Sequence, residues 1–145
     1  MSALALAPRP TLEVTLQNHL ANPSFRLRDI TRFADDGGFR SMLAVRSGGF
    51  AVERPFFFDG SALARFLDEL DKLDQLQPGF ARLRASDGPD MVGMELHGRG
   101  DVTVFGTIHE QARVTQSIRF AFTTDQTVIP QFRKDIARVW SLPAF

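Results

Sequence analysis

Apolar and polar residues follow two different periods in each half of the chain. Residues 118–122 alternate strictly, as in a strand with one buried face. From Ile129 onward, apolar residues recur every three or four positions, which is the period of one helix face. The same change of period occurs in residues 56–73, and a single shift places Asp59 on Asp125 and Phe66 on Phe132. The pattern therefore predicts two strand-rich segments, each followed by one amphipathic helix.

Four strands are expected in the first segment. They begin near Leu12 and Phe25 and then span residues 39–46 and 50–57. The apolar alternation slips after Leu27, which predicts a β-bulge near Asp29. Pro55 has no amide hydrogen to donate, so we expect the fourth strand to lie at the edge of a sheet. Glycine-containing turns are expected at residues 35–38 and 47–49.

The first helix is expected to run from Ser61 to Gln75, with Asp59 or Ser61 capping its first amides. Its outward face is acidic. The acidic residues are Asp68, Glu69, Asp71 and Asp74. The second helix is expected to continue from Ile129 to Trp140, and Pro130 must lie in its first turn because an interior proline would cost about 3 kcal/mol.

A hairpin in the second segment can be aligned residue by residue. A three-residue loop at positions 98–100 keeps the apolar residues of both arms on one face, with Gly100 at the left-handed position that such loops require. The resulting pairs are Leu96 with Val102, Met94 with Val104, and Gly93 with Phe105. A further strand is expected over residues 114–123. The whole pattern predicts four strands, a helix, four strands and a helix, which is an α+β fold with a mostly antiparallel sheet.

Composition sets broad limits on function. A chain of 145 residues with 43% hydrophobic residues and fourteen phenylalanines fits a single domain over residues 1–145, with residues 1–10 flexible. The formal net charge is zero, so no overall field would attract nucleic acid or a membrane surface. The chain has no cysteine, which excludes disulfides and thiolate metal sites. Without a signal-like or membrane-spanning segment, we expect a cytoplasmic protein.

The three histidines do not suggest a metal site. His97 and His109 lie on one hairpin but about 25 Å apart along it, and His19 has no neighbouring carboxylate. In the expected register His97 faces Asp101, and this pair could be an acid/base couple or an ordinary solvated contact. The sequence therefore assigns no catalytic, cofactor-binding or metal-binding residue.

Two charged surfaces could bind a partner. If the first sheet is antiparallel, several arginines would share a solvent face and attract an acidic partner. These arginines are at positions 26, 28, 32, 40, 46 and 54. Their neighbouring aromatics fall mostly at core positions, so stacking on nucleic-acid bases has little support. The acidic helix face is either simply solvated or a docking surface for a basic protein.

The carboxyl-terminal half resembles the WapI-type immunity-protein family of bacteria. The resemblance lies in residues 98–106 and 120–127, with Phe132 after them, and the first helix also fits. It covers residues 50–140. It implies a cytosolic, non-enzymatic protein that binds and neutralises a toxin encoded nearby. One alternative is a small ligand-binding or enzymatic domain whose pocket between sheet and helices contains arginines with His97 or Glu95. Another is a structural subunit that forms homo-oligomers through its sheet edges.

Overall fold

The fold of the chain is given by a computed structural model, which describes residues 10–34, 37–110 and 114–144. The expected flexible amino terminus falls almost entirely outside these residues, as do Asp35 and Asp36 of the first glycine turn. The first segment contains β1 (Leu12–Thr15), β2 (Ser24–Arg32), β3 (Phe39–Ser47), β4 (Phe50–Phe58) and α1 (Gly60–Asp74). The second contains β5 (Gly79–Arg84), β6 (Met91–Leu96), β7 (Asp101–Glu110), β8 (Gln116–Asp125) and α2 (Ile129–Ala137).

The predicted α+β class is confirmed, and the eight strands divide into two four-stranded antiparallel sheets. Each sheet keeps the order of the chain, β1-β2-β3-β4 in the first sheet and β5-β6-β7-β8 in the second. The sequence pattern predicted four strands in the second segment but gave positions for only three of them, and β5 is the strand it did not locate. The last strand begins at Gln116, two residues later than expected, and Val114 lies in the connection before it.

Several local predictions are confirmed by the pairing of the strands. The β2–β3 register shifts between Arg28 and Thr31, and Asp29 has a positive φ of 53°, so the bulge is where the apolar pattern slips. Pro55 lies on β4, an edge strand of its sheet. The β6–β7 hairpin has the three-residue loop, with Gly100 at φ 93°. The predicted pairs of Leu96 with Val102, Met94 with Val104, and Gly93 with Phe105 are all present.

The two strand-to-helix junctions use the same kind of cap. The carboxylate of Asp59 accepts a hydrogen bond from the amide of Ala62 at 2.7 Å, and that of Asp125 accepts from Thr127 at 2.8 Å. The predicted length of the second helix was wrong. A 3-10 turn over Gln126–Val128 precedes α2, the α-helix ends at Ala137, and a second 3-10 turn, Arg138–Ser141, carries Trp140.

The helices close the gap between the two sheets on one side of a single core. Helix α1 lies beside β5, α2 lies beside β1, and the two helices contact each other. Each helix thus packs beside the first strand of the other segment. Phe132 on α2 makes edge-to-face contacts with Phe66 at 6.2 Å and with Phe25 at 6.0 Å, measured between ring centroids. On the other side, the Ser47 hydroxyl donates to the carbonyl of Ala121 on β8 at 3.5 Å.

Candidate functional site

The outer face of the second sheet carries an unusual combination of aromatic and basic side chains. Alternation along β5 to β8 sends Ala81, Met94, Val104 and Phe122 into the core, so their neighbours point outward. We call the resulting surface the second-sheet outer face. It comprises Phe80, Arg82, Arg84, Met91, Glu95, Asp101, Thr103, Phe105, Thr107, Arg119, Thr123 and Asp125.

Two phenylalanines and an arginine form the centre of this face. The rings of Phe80 and Phe105 meet edge to face with centroids 6.1 Å apart, and the guanidinium carbon of Arg82 lies 4.2 Å from the Phe80 centroid. Phe80 is 43% exposed. Phe105 lies across Gly93, where an added Cβ would come within 3.2 Å of its ring. The missing side chain at Gly93 therefore lets the Phe105 ring lie against the sheet.

The second-sheet outer face is positively charged at one end and acidic at the other. Arg84 and Arg119 pair with Met91 and Thr107 along one row of the sheet, and both arginines are exposed. Neither arginine has a carboxylate within 4 Å among the described residues. The acidic residues Glu95, Asp101 and Asp125 lie towards the opposite end of the face, and the Glu95 carboxylate lies 3.8 Å from His97.

The expected acid/base couple of His97 and Asp101 is not formed by their side chains. Their contact is between backbones, with the amide of His97 donating to the carbonyl of Asp101 at 3.0 Å. The Nε2 atom of His97 instead lies 2.8 Å from the hydroxyl of Thr103. Asp101 and Thr103 lie on the same face of β7, and the imidazole contacts Thr103, its diagonal neighbour across the strands, instead of Asp101 directly opposite.

A histidine–carboxylate pair does exist elsewhere, between His109 and Asp90. One oxygen of Asp90 lies 2.9 Å from both the amide nitrogen and the Nδ1 of His109. An ionised carboxylate only accepts hydrogen bonds, so Nδ1 is the donor and Nε2 remains available. The pair lines a groove of about 260 Å³ together with Arg54. Extending the predicted register from Gly93 and Phe105 places Asp90 opposite Ile108, one residue before His109, so the register alone does not predict this pair.

The arginines of the first sheet are divided between its two faces. Four share the outer face, as the antiparallel register predicts. They are Arg26, Arg28, Arg40 and Arg46. Arg26 and Arg28 pair with Glu13 and Glu53, which reduces the positive charge there. Arg54 pairs with buried Leu43 in the register and so lies on the other face.

Arg32 has a structural role at the carboxyl-terminal end of the described chain. Its guanidinium donates to the carbonyls of Trp140 and Leu142 at 3.2 and 3.3 Å. It also lies over the rings of Phe39 and Trp140. These contacts leave it unsuited to binding a partner.

The acidic face of α1 is partly used inside the fold. Glu69 accepts a hydrogen bond from the amide of Arg82 on β5 at 3.0 Å. Asp71 binds Arg133 of α2 through both carboxylate oxygens, at 2.6 and 3.3 Å. The hydrogen bonds that Arg133 donates to the Asp71 carboxylate raise the pKa of Arg133. Only Asp68 and Asp74 remain as exposed members of the proposed docking face, which weakens that hypothesis.

A surface cleft beside α1 contains arginines but lacks the His97 and Glu95 of the ligand-binding alternative. This cleft of about 250 Å³ lies between the start of α1 and β5, lined by Arg65, Arg82 and Arg84. His97 and Glu95 are not among its lining residues. The described part of the chain contains no cluster of three or more His, Asp or Glu residues able to hold a metal ion.

The missed residues of the second-sheet outer face come mainly from β5. The alternation was present there: Phe80, Arg82 and Arg84 point outward, while Ala81 and Leu83 point inward. An outward phenylalanine beside an inward alanine reverses the usual pattern, so the strand was not located.

Comparison with known proteins leaves the family unassigned: no protein-family model matches the chain, and no curated protein matches it significantly. No helix within residues 10–34, 37–110 and 114–144 is long and apolar enough to cross a membrane.

Proposed function

We propose that this chain is a non-enzymatic protein-binding module, an immunity protein that neutralises a bacterial toxin by direct binding in the cytoplasm. We further propose that the second-sheet outer face is the binding surface. The observation that carries this proposal is the pair of exposed Phe80 and half-buried Phe105, with Arg82 stacked on Phe80. The resemblance in residues 98–106 and 120–127 supplies the class of partner.

The composition of this face supports protein binding. Aromatic residues, methionine and arginine are enriched at the centres of protein interfaces, and they contribute most of the binding free energy there. Phe80, Met91 and Phe105 lie beside three arginines on a four-stranded sheet. The hydrogen-bonded strands hold these side chains in fixed relative positions, as a binding surface requires. Threonines at positions 103, 107 and 123 could supply hydrogen bonds around them.

The arginine end of the face fits an acidic partner. Arg84 and Arg119 share one row with Arg82 in the next row, whereas Glu95, Asp101 and Asp125 lie towards the other end. An acidic surface on the toxin would be complementary, and such complementarity accelerates association at low salt. On the first sheet, by contrast, two of the four outward arginines are already paired with glutamates.

The proposal is tested by co-expressing the chain with the products of genes adjacent to its own. A toxic product should be captured by the wild-type chain, and growth should be restored. Phe80→Ala and Arg119→Glu should each weaken capture at least tenfold. Phe50→Ala is the matched control, because Phe50 is 69% exposed on the first sheet. Failure of the wild-type chain to bind or neutralise any of these products would refute the toxin assignment.

Two further measurements separate the other functions that this face could serve. A single-stranded RNA oligonucleotide that binds in a Phe80-dependent manner would indicate a nucleic-acid module instead. Light scattering that shows a dimer lost in Phe80→Ala would indicate that the face joins two copies of this chain. The proposal predicts a monomer without measurable affinity for RNA.

A further inference from the structure

The arginine-lined cleft beside α1 is a second surface with its own chemistry. It lies between the start of the helix and β5, with Arg65 contributed by α1 and Arg84 by the strand. Ser61 and Ser86 add two hydroxyl groups to its wall, and Asp59 adds a carboxylate. We propose that this cleft binds the phosphate group of a small molecule, with Arg65 and Arg84 as the principal ligands.

The two guanidinium groups are available for such a ligand. In residues 10–34, 37–110 and 114–144, no carboxylate lies within 4 Å of Arg65 or Arg84, and both side chains are exposed. Arg133, by comparison, is bound by Asp71. Arg82 also lines the cleft, but its guanidinium is stacked on Phe80. It therefore adds positive charge to the cleft and is not one of the principal ligands.

The proposed phosphate binding does not depend on the backbone amides at the amino-terminal end of α1. The carboxylate of Asp59 already accepts from the amide of Ala62 at 2.7 Å, and its carbonyl accepts from the amide of Leu63 at 3.0 Å. A ligand would therefore be held by side chains. Three arginines against the single carboxylate of Asp59 leave the cleft positively charged.

The residue types favour phosphate over other anions. Guanidinium groups form paired hydrogen bonds with phosphate oxygens, and serine hydroxyls can donate to the same oxygens. The volume of about 250 Å³ is slightly below the usual range for small-molecule sites. It suits a phosphate group with a short substituent better than a protein segment. The cleft thus gives the ligand-binding alternative a specific location.

Calorimetric titration of the full chain with pyrophosphate at low salt tests the proposal. The wild-type chain should bind one equivalent, and Arg65→Gln and Arg84→Gln should each weaken binding about ten- to a hundredfold. Arg46→Gln is the matched control, an exposed arginine of the first sheet without a carboxylate partner among the described residues. Asp59→Asn retains a capping side chain while removing the opposing charge, so it should strengthen binding.

Three outcomes would overturn the phosphate site. They are no saturable binding by the wild-type chain, unchanged binding by Arg65→Gln with its fold intact by circular dichroism, and an equal loss in Arg46→Gln. Acetate should not compete at equal concentration, and competition by acetate would show that phosphate is not specifically recognised. Arg65 lies outside the second-sheet outer face, so Arg65→Gln should still bind a protein partner. The two proposals can therefore fail separately.

Discussion

Phe66 of α1 and Phe132 of α2 meet edge to face at the centre of the molecule, with ring centroids 6.2 Å apart. The apolar pattern placed these two residues at equivalent positions of the two strand–helix segments. Both are almost fully buried, at 2% and 1% exposure. The two helices therefore meet through corresponding side chains, and this contact joins the two segments into one core.

Truncation at this contact should strongly destabilise the fold. We expect Phe66→Ala to lower the free energy of unfolding by about 3–5 kcal/mol, because it removes a buried ring and leaves a cavity. Chemical denaturation monitored by circular dichroism measures this change. Phe50→Ala is the control, since its ring is 69% exposed and should contribute less than about 1 kcal/mol. Equal losses in the two variants would contradict the assigned core.

A methyl group at Gly93 should be poorly tolerated. Its Cβ would lie 2.3 Å from the carbonyl oxygen of Ala81, a backbone atom that cannot move without disturbing β5. We expect Gly93→Ala to cost about 1–3 kcal/mol by overpacking. Gly88→Ala is the matched control, because nothing lies within 4 Å of its added Cβ. Thermal denaturation of both variants provides the comparison, and a stable Gly93→Ala would show that β5 and β6 are less closely paired.

The cap at Asp59 should be replaceable by asparagine but not by alanine. The side-chain oxygen of Asp59 satisfies the amide of Ala62, and asparagine can supply an equivalent oxygen. We expect Asp59→Ala to lose about 1 kcal/mol of stability and Asp59→Asn to lose much less. Urea denaturation distinguishes these losses. A larger loss for asparagine would mean that the charge of Asp59, and not its hydrogen bond, stabilises the helix.

Salt should weaken the ion pair between Asp71 and Arg133. Titration of Arg133 should not affect this ion pair near neutral pH. The pKa of Arg133 is raised, so its stabilising contribution is present below the normal pKa of arginine and is lost only at higher pH. Both side chains are about one-third or more exposed, so Arg133→Gln should cost less than about 1 kcal/mol. That cost should shrink in about 1 M salt. A cost that persists there would indicate packing by the arginine stem instead.

The spacing of apolar residues along the chain predicted the fold well where one face of a helix or strand is buried. The β6–β7 register followed from keeping Met94 and Val104 on the same side, and the bulge at Asp29 followed from a break in alternation. The division into two sheets was not predicted, because strand periodicity does not reveal which strands pair. The early end of α2 at Ala137 was missed because Val139 continues the apolar spacing and is buried in the 3-10 turn.

The candidate surface was harder to predict than the fold. Its residues come from all four strands of the second sheet, and one of those strands, β5, was not located. The register correctly placed His97 opposite Asp101 but did not show that the imidazole bonds the diagonal neighbour Thr103. The pairing of His109 with Asp90 was missed, because Asp90 precedes β6 and falls opposite Ile108 in the extended register.

The most direct measurement for the proposed binding function is the affinity of the purified toxin partner for two phenylalanine variants. Phe80→Ala should bind at least tenfold more weakly than the wild-type chain, whereas Phe50→Ala should bind equally well. Isothermal titration with each folded variant gives both values. Equal affinities for Phe80→Ala and the wild-type chain would contradict the assignment of the second-sheet outer face as the binding surface.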